Sequence, residues 1–135
     1  MVTSQKPDTP ARNLCFNVYA KECPTRMVLD RLGDKWALLV LDRLQNDVVR
    51  FNALKRDING ISQKILSQVL KNLERDGLIL RQAYPTVPVT VEYSLKPLGE
   101  TLIQAVSSLT HWAETHMADI QDSQRLYDEA KNSAL

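Results

Sequence analysis

Three patterns in the sequence predict a mainly α fold with one small β-hairpin: short apolar-periodic segments between residues 24 and 77, a pair of β-rich runs either side of a Pro-rich turn, and an unbroken helical stripe after Pro97. At 135 residues the chain has the length of one domain, long enough to bury a core. Hydrophobic residues at 44% and charged residues at 24% are ordinary globular values, which argues against wholesale disorder and against a fibrous chain. No apolar run reaches the roughly 20 residues of a membrane helix, and residues 1–13 lack the apolar core of a signal peptide. A cytoplasmic location is the expectation.

Residues 1–13 are polar, carry two prolines and show no period, so a mobile N-terminal tail is expected there. The folded domain is expected over residues 14–121, with a C-terminal tail over 122–135. Between Leu14 and Tyr19 the apolar residues alternate, in a stretch too short to separate a strand from a helical turn. Pro24 suits the first turn of a helix with Met27, Val28 and Leu32 on one side, and Gly33 ends it. Asp34 then caps a second helix in which Trp36, Leu38, Leu39, Val40, Leu41 and Leu44 are apolar nearly all round, as befits the middle of a core. Val48 to Arg50 has room for a minimal strand, and Phe51 to Ile58 for a short helix with Leu54 and Ile58 inward.

After the Asn59-Gly60 break, Ser62 caps a helix whose Ile65, Leu66, Val69, Leu70 and Leu73 follow helical spacing as far as Gly77. Leu78 to Ala83 and Val89 to Leu95 are β-formers separated by Tyr84-Pro85-Thr86-Val87-Pro88, a hairpin. From Pro97, the residues Leu98, Leu102, Val106, Leu109, Ala113, Met117 and Ile120 describe one stripe on a helix of roughly 24 residues, about 36 Å long. A domain this small is not expected to cover that stripe alone, so Leu102, Val106, Leu109, Trp112, Ala113 and Met117 are candidate dimerisation residues. Two helices joined by a tight turn, then a hairpin, then a long helix make a winged helix-turn-helix with a dimerisation helix.

The net charge of +1 is uninformative, but its distribution is not. From Lys35 to Lys96 there are ten basic residues against six acidic; after Pro97 there are two against six. A polyanion would therefore be met by the middle of the chain. On the Ser62 helix, Lys64, Ser67, Gln68 and Lys71 fall at i, i+3, i+4 and i+7, opposite the apolar face, with Ser62 and Gln63 at the N-terminal end. A major groove admits one helix and is read by short polar, amide and cationic side chains, so these six are the candidate base-reading set. Arg50, Lys55, Arg56 and Arg81 flank them where phosphates are expected. The competing interpretation is an ordinary solvated helix face.

Cys23 precedes Pro24 at a helix start, with Lys21 and Arg26 nearby, a setting that favours a thiolate, although Glu22 opposes it and an isolated cysteine is more often a buried apolar residue. Cys15 is the second candidate thiol. His111 and His116 do not share a helix face, no Gly-rich phosphate loop or nucleophile motif occurs, and the cysteine and histidine spacings match no zinc motif. Neither catalysis nor a metal or other cofactor is expected.

The ordered series Cys23-Pro24, Leu32-Gly33-Asp34-Lys35-Trp36, Arg50-Phe51-Asn52, Gly60-Ile61-Ser62, Leu73-Glu74-Arg75-Asp76-Gly77-Leu78, Tyr84-Pro85, Val91-Glu92-Tyr93-Ser94-Leu95 and Leu98-Gly99 resembles the HxlR family of MarR-related regulators. The resemblance runs from about Cys23 to His116. It implies a winged-helix homodimer on inverted-repeat operators in double-stranded DNA, and, in several members, control by thiol chemistry at the position of Cys23 with oxidants or electrophiles as inducers. Two departures stand out. Val89-Thr90 replaces the Pro-Arg that many relatives carry before Val-Glu-Tyr, which removes a cation from the wing, and Lys96-Pro97 replaces a capping Ser or Thr before the long helix. Two alternatives stay open at this point: a small-ligand-responsive regulator with inert cysteines, and a winged helix used for protein interaction.

Overall fold

The computed structural model describes residues 16–134. Five helices and three strands follow in the order α1 (Thr25–Gly33), α2 (Lys35–Arg43), β1 (Val49–Arg50), α3 (Phe51–Asp57), α4 (Gln63–Arg75), β2 (Ile79–Tyr84), β3 (Thr90–Leu95) and α5 (Pro97–Ser133). This is the winged helix-turn-helix expected from the pattern. The signals that fix its boundaries are local. The Asp34 carboxylate accepts the Trp36 N–H at 2.9 Å to start α2. At the other end of α4, Gly77 takes φ +79° and its N–H donates to the Glu74 carbonyl while the Leu78 N–H donates to that of Leu73, a Schellman closure that aims the chain into β2.

The core is built around α2. Val40, Leu41 and Leu44 meet Leu54 of α3, Leu66, Leu70 and Leu73 of α4, Ile79 of β2 and Val106 of α5, all essentially without solvent contact. Each such side chain contributes on the order of 2 kcal/mol through burial. The sheet has the order β1-β3-β2, antiparallel throughout, with Val49 opposite Tyr93 and Arg50 opposite Glu92. β1 thus braces the base of the hairpin, where Ile79 and Tyr93 are buried, while residues 83–89 stand out in solvent as the wing.

Three expectations need correction. Leu39 and Ile65 are exposed, because an apolar run that covers most of a helix circumference still leaves one side outside a two-layer core. Val106 is only 1% exposed, packed in this chain's own core, and Leu102 is partly buried against the same cluster; the domain covers that much of the stripe itself, since α2 lies directly beneath α5. Leu109, Trp112 and Met117 remain 51%, 51% and 42% exposed, and Ala113 is exposed with them. Finally, α5 does not stop near Ile120 but continues to Ser133, a helix of 37 residues. Residues 121–133 contain neither Pro nor Gly, and Arg125 bridges Asp122 and Glu129 at 3.7 and 3.2 Å, so helix propensity and charge pairing extend α5 past the last apolar contact.

Gly99 is the tightest of the four glycine positions. A Cβ there would land on the Leu78 carbonyl oxygen, which already accepts the Lys96 N–H at 3.0 Å and cannot retreat. Gly99→Ala is therefore expected to lower unfolding stability by about 3 kcal/mol, the upper end for overpacking. Gly33→Ala, where a Cβ meets nothing within 4 Å, serves as the control and is expected to be neutral or slightly stabilising in the same urea titration.

Candidate nucleic-acid interface

The turn between α3 and α4 is held from below. Ile58 and Ile61 are buried, and the Ile61 N–H donates to the Ile58 carbonyl at 3.3 Å. Gly60 adopts φ +93° above the Trp36 ring, a conformation that a side chain would strain. Ser62 then caps α4, its Oγ accepting the Ile65 N–H at 3.1 Å. Because Leu66, Val69, Leu70 and Leu73 are all buried, the rotation of α4 about its axis is fixed. The opposite side carries Gln63, Lys64, Gln68 and Lys71 in solvent, with Ser67 partly covered.

The amide of Gln68 donates to Asn72 Oδ1 at 3.2 Å, which steadies it along the helix. Ser67, Lys71 and Glu74 of α4 face Arg81 and Tyr93 of the hairpin across a groove of about 410 Å³. Lys71 and Arg81, far apart in sequence, thereby line one channel. A second depression, about 470 Å³, lies between Arg50, Phe51 and Arg56 on one side and Pro88 to Val91 at the wing on the other.

The cations divide by their existing partners. Arg50 lies 3.6 Å from the Glu92 carboxylate, and Arg56 lies 3.2 Å from Asp57, whose second oxygen accepts from Arg43 at 2.9 Å. Arg43 also donates to Asp47 at 2.9 Å. Hydrogen bonding to Arg43, reinforced by Arg56, holds the Asp57 carboxyl below its ordinary pKa, so it is an anion at neutral pH. Among the described residues, Lys55, Lys64, Lys71 and Arg81 have no ion pair. The structure thus leaves α4 and β2 with uncommitted charge and gives Arg50 and Arg56 internal partners. Sequence inspection missed Arg43 and Asp57 as the organisers of this network; the Arg43/Asp47 spacing of i, i+4 was its only local signal.

Cys23 is 4% exposed, its Sγ 3.0 Å from Thr25 Oγ1, and it stands immediately before the Pro24 cap of α1. The Arg26 guanidinium donates to the carbonyls of Val18 and Tyr19. Cys15 lies outside the described residues. The His116 ring stacks on Trp112 at 4.6 Å, with Nδ1 2.9 Å from the Trp112 carbonyl. No group of three or more metal-ligating side chains occurs among the described residues.

The profile of the HxlR-like helix-turn-helix family matches residues 31–121, from the end of α1 through the first two-thirds of α5. The chain belongs to the HxlR-like family. It is 43% identical over 104 residues to YtfH, an uncharacterised HTH-type transcriptional regulator of Escherichia coli (strain K12), covering 77% of this chain and 82% of YtfH. A solved structure of ytfH from Salmonella typhimurium superposes with a TM-score of 0.77 at 39% identity, covering 81% of this chain and 97% of that one. The redox regulator HypR, solved in oxidised and reduced forms, superposes at 0.64 and 0.67 with 36% and 33% identity. Those alignments take in 69% and 73% of this chain and 96% and 98% of HypR. The HxlR-like family and these relatives are transcriptional regulators with a helix-turn-helix DNA-binding fold, and so is this chain. Cys23 precedes the family-matched stretch, and about the last three turns of α5 follow it.

Lys64→Glu and Lys71→Glu are each expected to weaken binding to a duplex carrying the chain's own promoter by about 1–3 kcal/mol, with no change in the thermal unfolding midpoint. The slope of log affinity against log salt should fall by about one for each phosphate no longer neutralised. Fluorescence anisotropy across a salt series measures both; unchanged affinity in both variants would remove α4 from the interface.

Proposed function

We propose that this regulator binds double-stranded DNA as a homodimer, one α4 in the major groove of each half of an inverted-repeat operator, and that modification of Cys23 changes its occupancy. The observation that carries the DNA reading is the outer face of α4, where Gln63, Lys64, Gln68 and Lys71 are exposed with Ser67 partly covered, Lys64 and Lys71 have no ion pair among the described residues, and Ser67 and Lys71 face Arg81 across a groove. Ser62 contributes a cap and leaves its backbone near the phosphates. Arg50, Lys55 and Arg56 contribute to phosphate affinity, the two arginines by exchanging a carboxylate for phosphate. The DNA partner implies a cytoplasmic site of action.

The homodimer reading is supported by Leu109, Trp112, Ala113 and Met117, an apolar strip left open on α5 after Leu102 and Val106 have turned inward. Two copies joined there would set their α4 helices about 34 Å apart, one duplex turn. The redox reading is supported by the likeness to HypR and by the place of Cys23 at the start of α1. Oxidation by diamide would join Cys23 to a second thiol, Cys15 of either copy or the other Cys23. The two thiols lose two protons and two electrons, which reduce the azo bond to a hydrazine. The burial of Cys23 favours the second reading, a regulator answering to a small ligand with its cysteines inert.

Leu109→Asp combined with Trp112→Ser is expected to convert a dimer into a folded monomer at micromolar concentration in light scattering and to lower operator affinity more than 10-fold; a parent protein that is itself monomeric would end the dimer reading. Cys23→Ser is expected to keep operator binding while losing its release by diamide. If the serine variant still releases DNA like the parent, the ligand-responsive reading takes the place of the redox one.

A further inference from the structure

A concavity of about 550 Å³ lies between α1, the C-terminal end of α4 and the first turns of α5, away from the outer face of α4. Its walls are aliphatic: Met27 and Val28 of α1, Leu78 after the α4 cap, and Leu98 of α5, of which Met27, Val28 and Leu98 are about half exposed. Its polar side holds three charges. Arg31 engages Asp76 through two hydrogen bonds, 2.5 and 3.3 Å long, so these two cancel. Arg75 lines the same cleft, is exposed, and has no ion pair among the described residues, so the lining side chains carry one net positive charge, with Asp30 and Asp34 acting on Arg31 from outside the lining.

We infer that this cleft binds a small molecule with an apolar body and one anionic group, the body against Met27, Val28, Leu78 and Leu98 and the anion on Arg75. The volume falls within the range of small-molecule sites, and the composition matches them: mostly apolar lining with a few placed polar groups. A second copy is the competing occupant, because Leu32 lines both this cleft and the open strip at Leu109 and Trp112, but an aliphatic surface would leave the charge of Arg75 unanswered. The site also touches the recognition helix. Asp76 is the C-cap of α4, and Arg31 ties it to α1, so a ligand wedged between α1 and α5 bears on the end of α4. That regulatory consequence rests on the DNA-binding reading; the binding itself rests on the cleft, and the two are measured separately.

Two dyes with nearly the same body test it on the full chain: 1-anilinonaphthalene-8-sulfonate, which is anionic, and N-phenyl-1-naphthylamine, which is neutral. Saturable fluorescence at one dye per chain is expected for the sulfonate. Arg75→Gln should weaken the sulfonate about 5- to 10-fold and leave the neutral dye unchanged, while Val28→Trp, which fills the cleft, should weaken both more than 10-fold with an unaltered unfolding midpoint. Absence of saturable binding, or binding that ignores Val28→Trp, would overturn the site. Equal loss of both dyes in Arg75→Gln would overturn the anionic class. Binding seen only in the Leu109→Asp/Trp112→Ser monomer would overturn it in favour of a second copy as the occupant. In parallel, the sulfonate should shift promoter affinity of the parent and not of Val28→Trp. Dye binding as expected in a protein with no affinity for duplex would sink the DNA-binding reading and leave the cleft standing.

Discussion

Everything that faces outward on α4 is decided by what faces inward. Leu66, Val69, Leu70 and Leu73 are buried against α2 and its neighbours, and a helix with four anchored side chains on one stripe has no freedom to rotate. Rotating α4 by one residue's 100° would bring Lys64 or Lys71 toward the core, at a desolvation cost of several kcal/mol per charge. The apolar contacts thus hold the polar set in register without touching it. The caps do the same along the axis: Ser62 at one end and the Gly77 closure at the other fix where α4 begins and where the chain leaves for the wing.

Electrostatics then sorts the cations that packing leaves outside. Arg43, Asp47, Asp57 and Arg56 form a connected set at the α2–α3 corner, and Arg50 pairs across the sheet with Glu92. A phosphate approaching Arg50 or Arg56 must compete with a carboxylate already in place. Lys64, Lys71 and Arg81 present no such competitor. The tip of the wing carries no charge from Ala83 to Thr90. Uncommitted positive charge is therefore found on α4, on β2 and at Lys55 of α3, while Arg50 and Arg56 are already paired.

Most of this order was legible in the sequence because its boundaries are marked by residues with one dominant local role. Asp34 and Ser62 are caps with a donor two or three residues ahead of them, and Gly77 ends a helix in a conformation other residues resist. The strip on α5 was harder. Periodicity assigned Val106 and Leu109 to the same face, but Val106 is enclosed by the core while Leu109 stays half-exposed beside Leu38 of α2, a distinction of tertiary packing that no heptad contains. The run from Gln121 to Ser133 was misjudged for the opposite reason: it buries nothing, and a search for buried stripes overlooks a helix sustained by propensity and the Arg125 pairs. Gly99 carried no signal of its own. Its requirement comes from the Leu78 carbonyl, brought against it only when β2 and α5 meet.

The same packing explains where a signal could enter. α1 contains no buried residue; it is held by Leu32 at the core margin, by the Arg31–Asp76 pair and by the turn that Arg26 ties down through the carbonyls of Val18 and Tyr19. Local opening free energies fall where buried apolar contacts are few, so α1 is among the least costly of the helices to displace. Yet its one strong tether ends on the C-cap of α4. Cys23 sits at one end of α1 and the aliphatic cleft along its side, so an adduct at the first or a ligand in the second would act on the same loosely held element. The Arg31–Asp76 pair is the direct side-chain link by which a displacement of α1 would reach the end of α4. The fold thereby separates two roles: the core fixes the orientation of α4, and α1, which lies outside that core, is the element that could move without disturbing it.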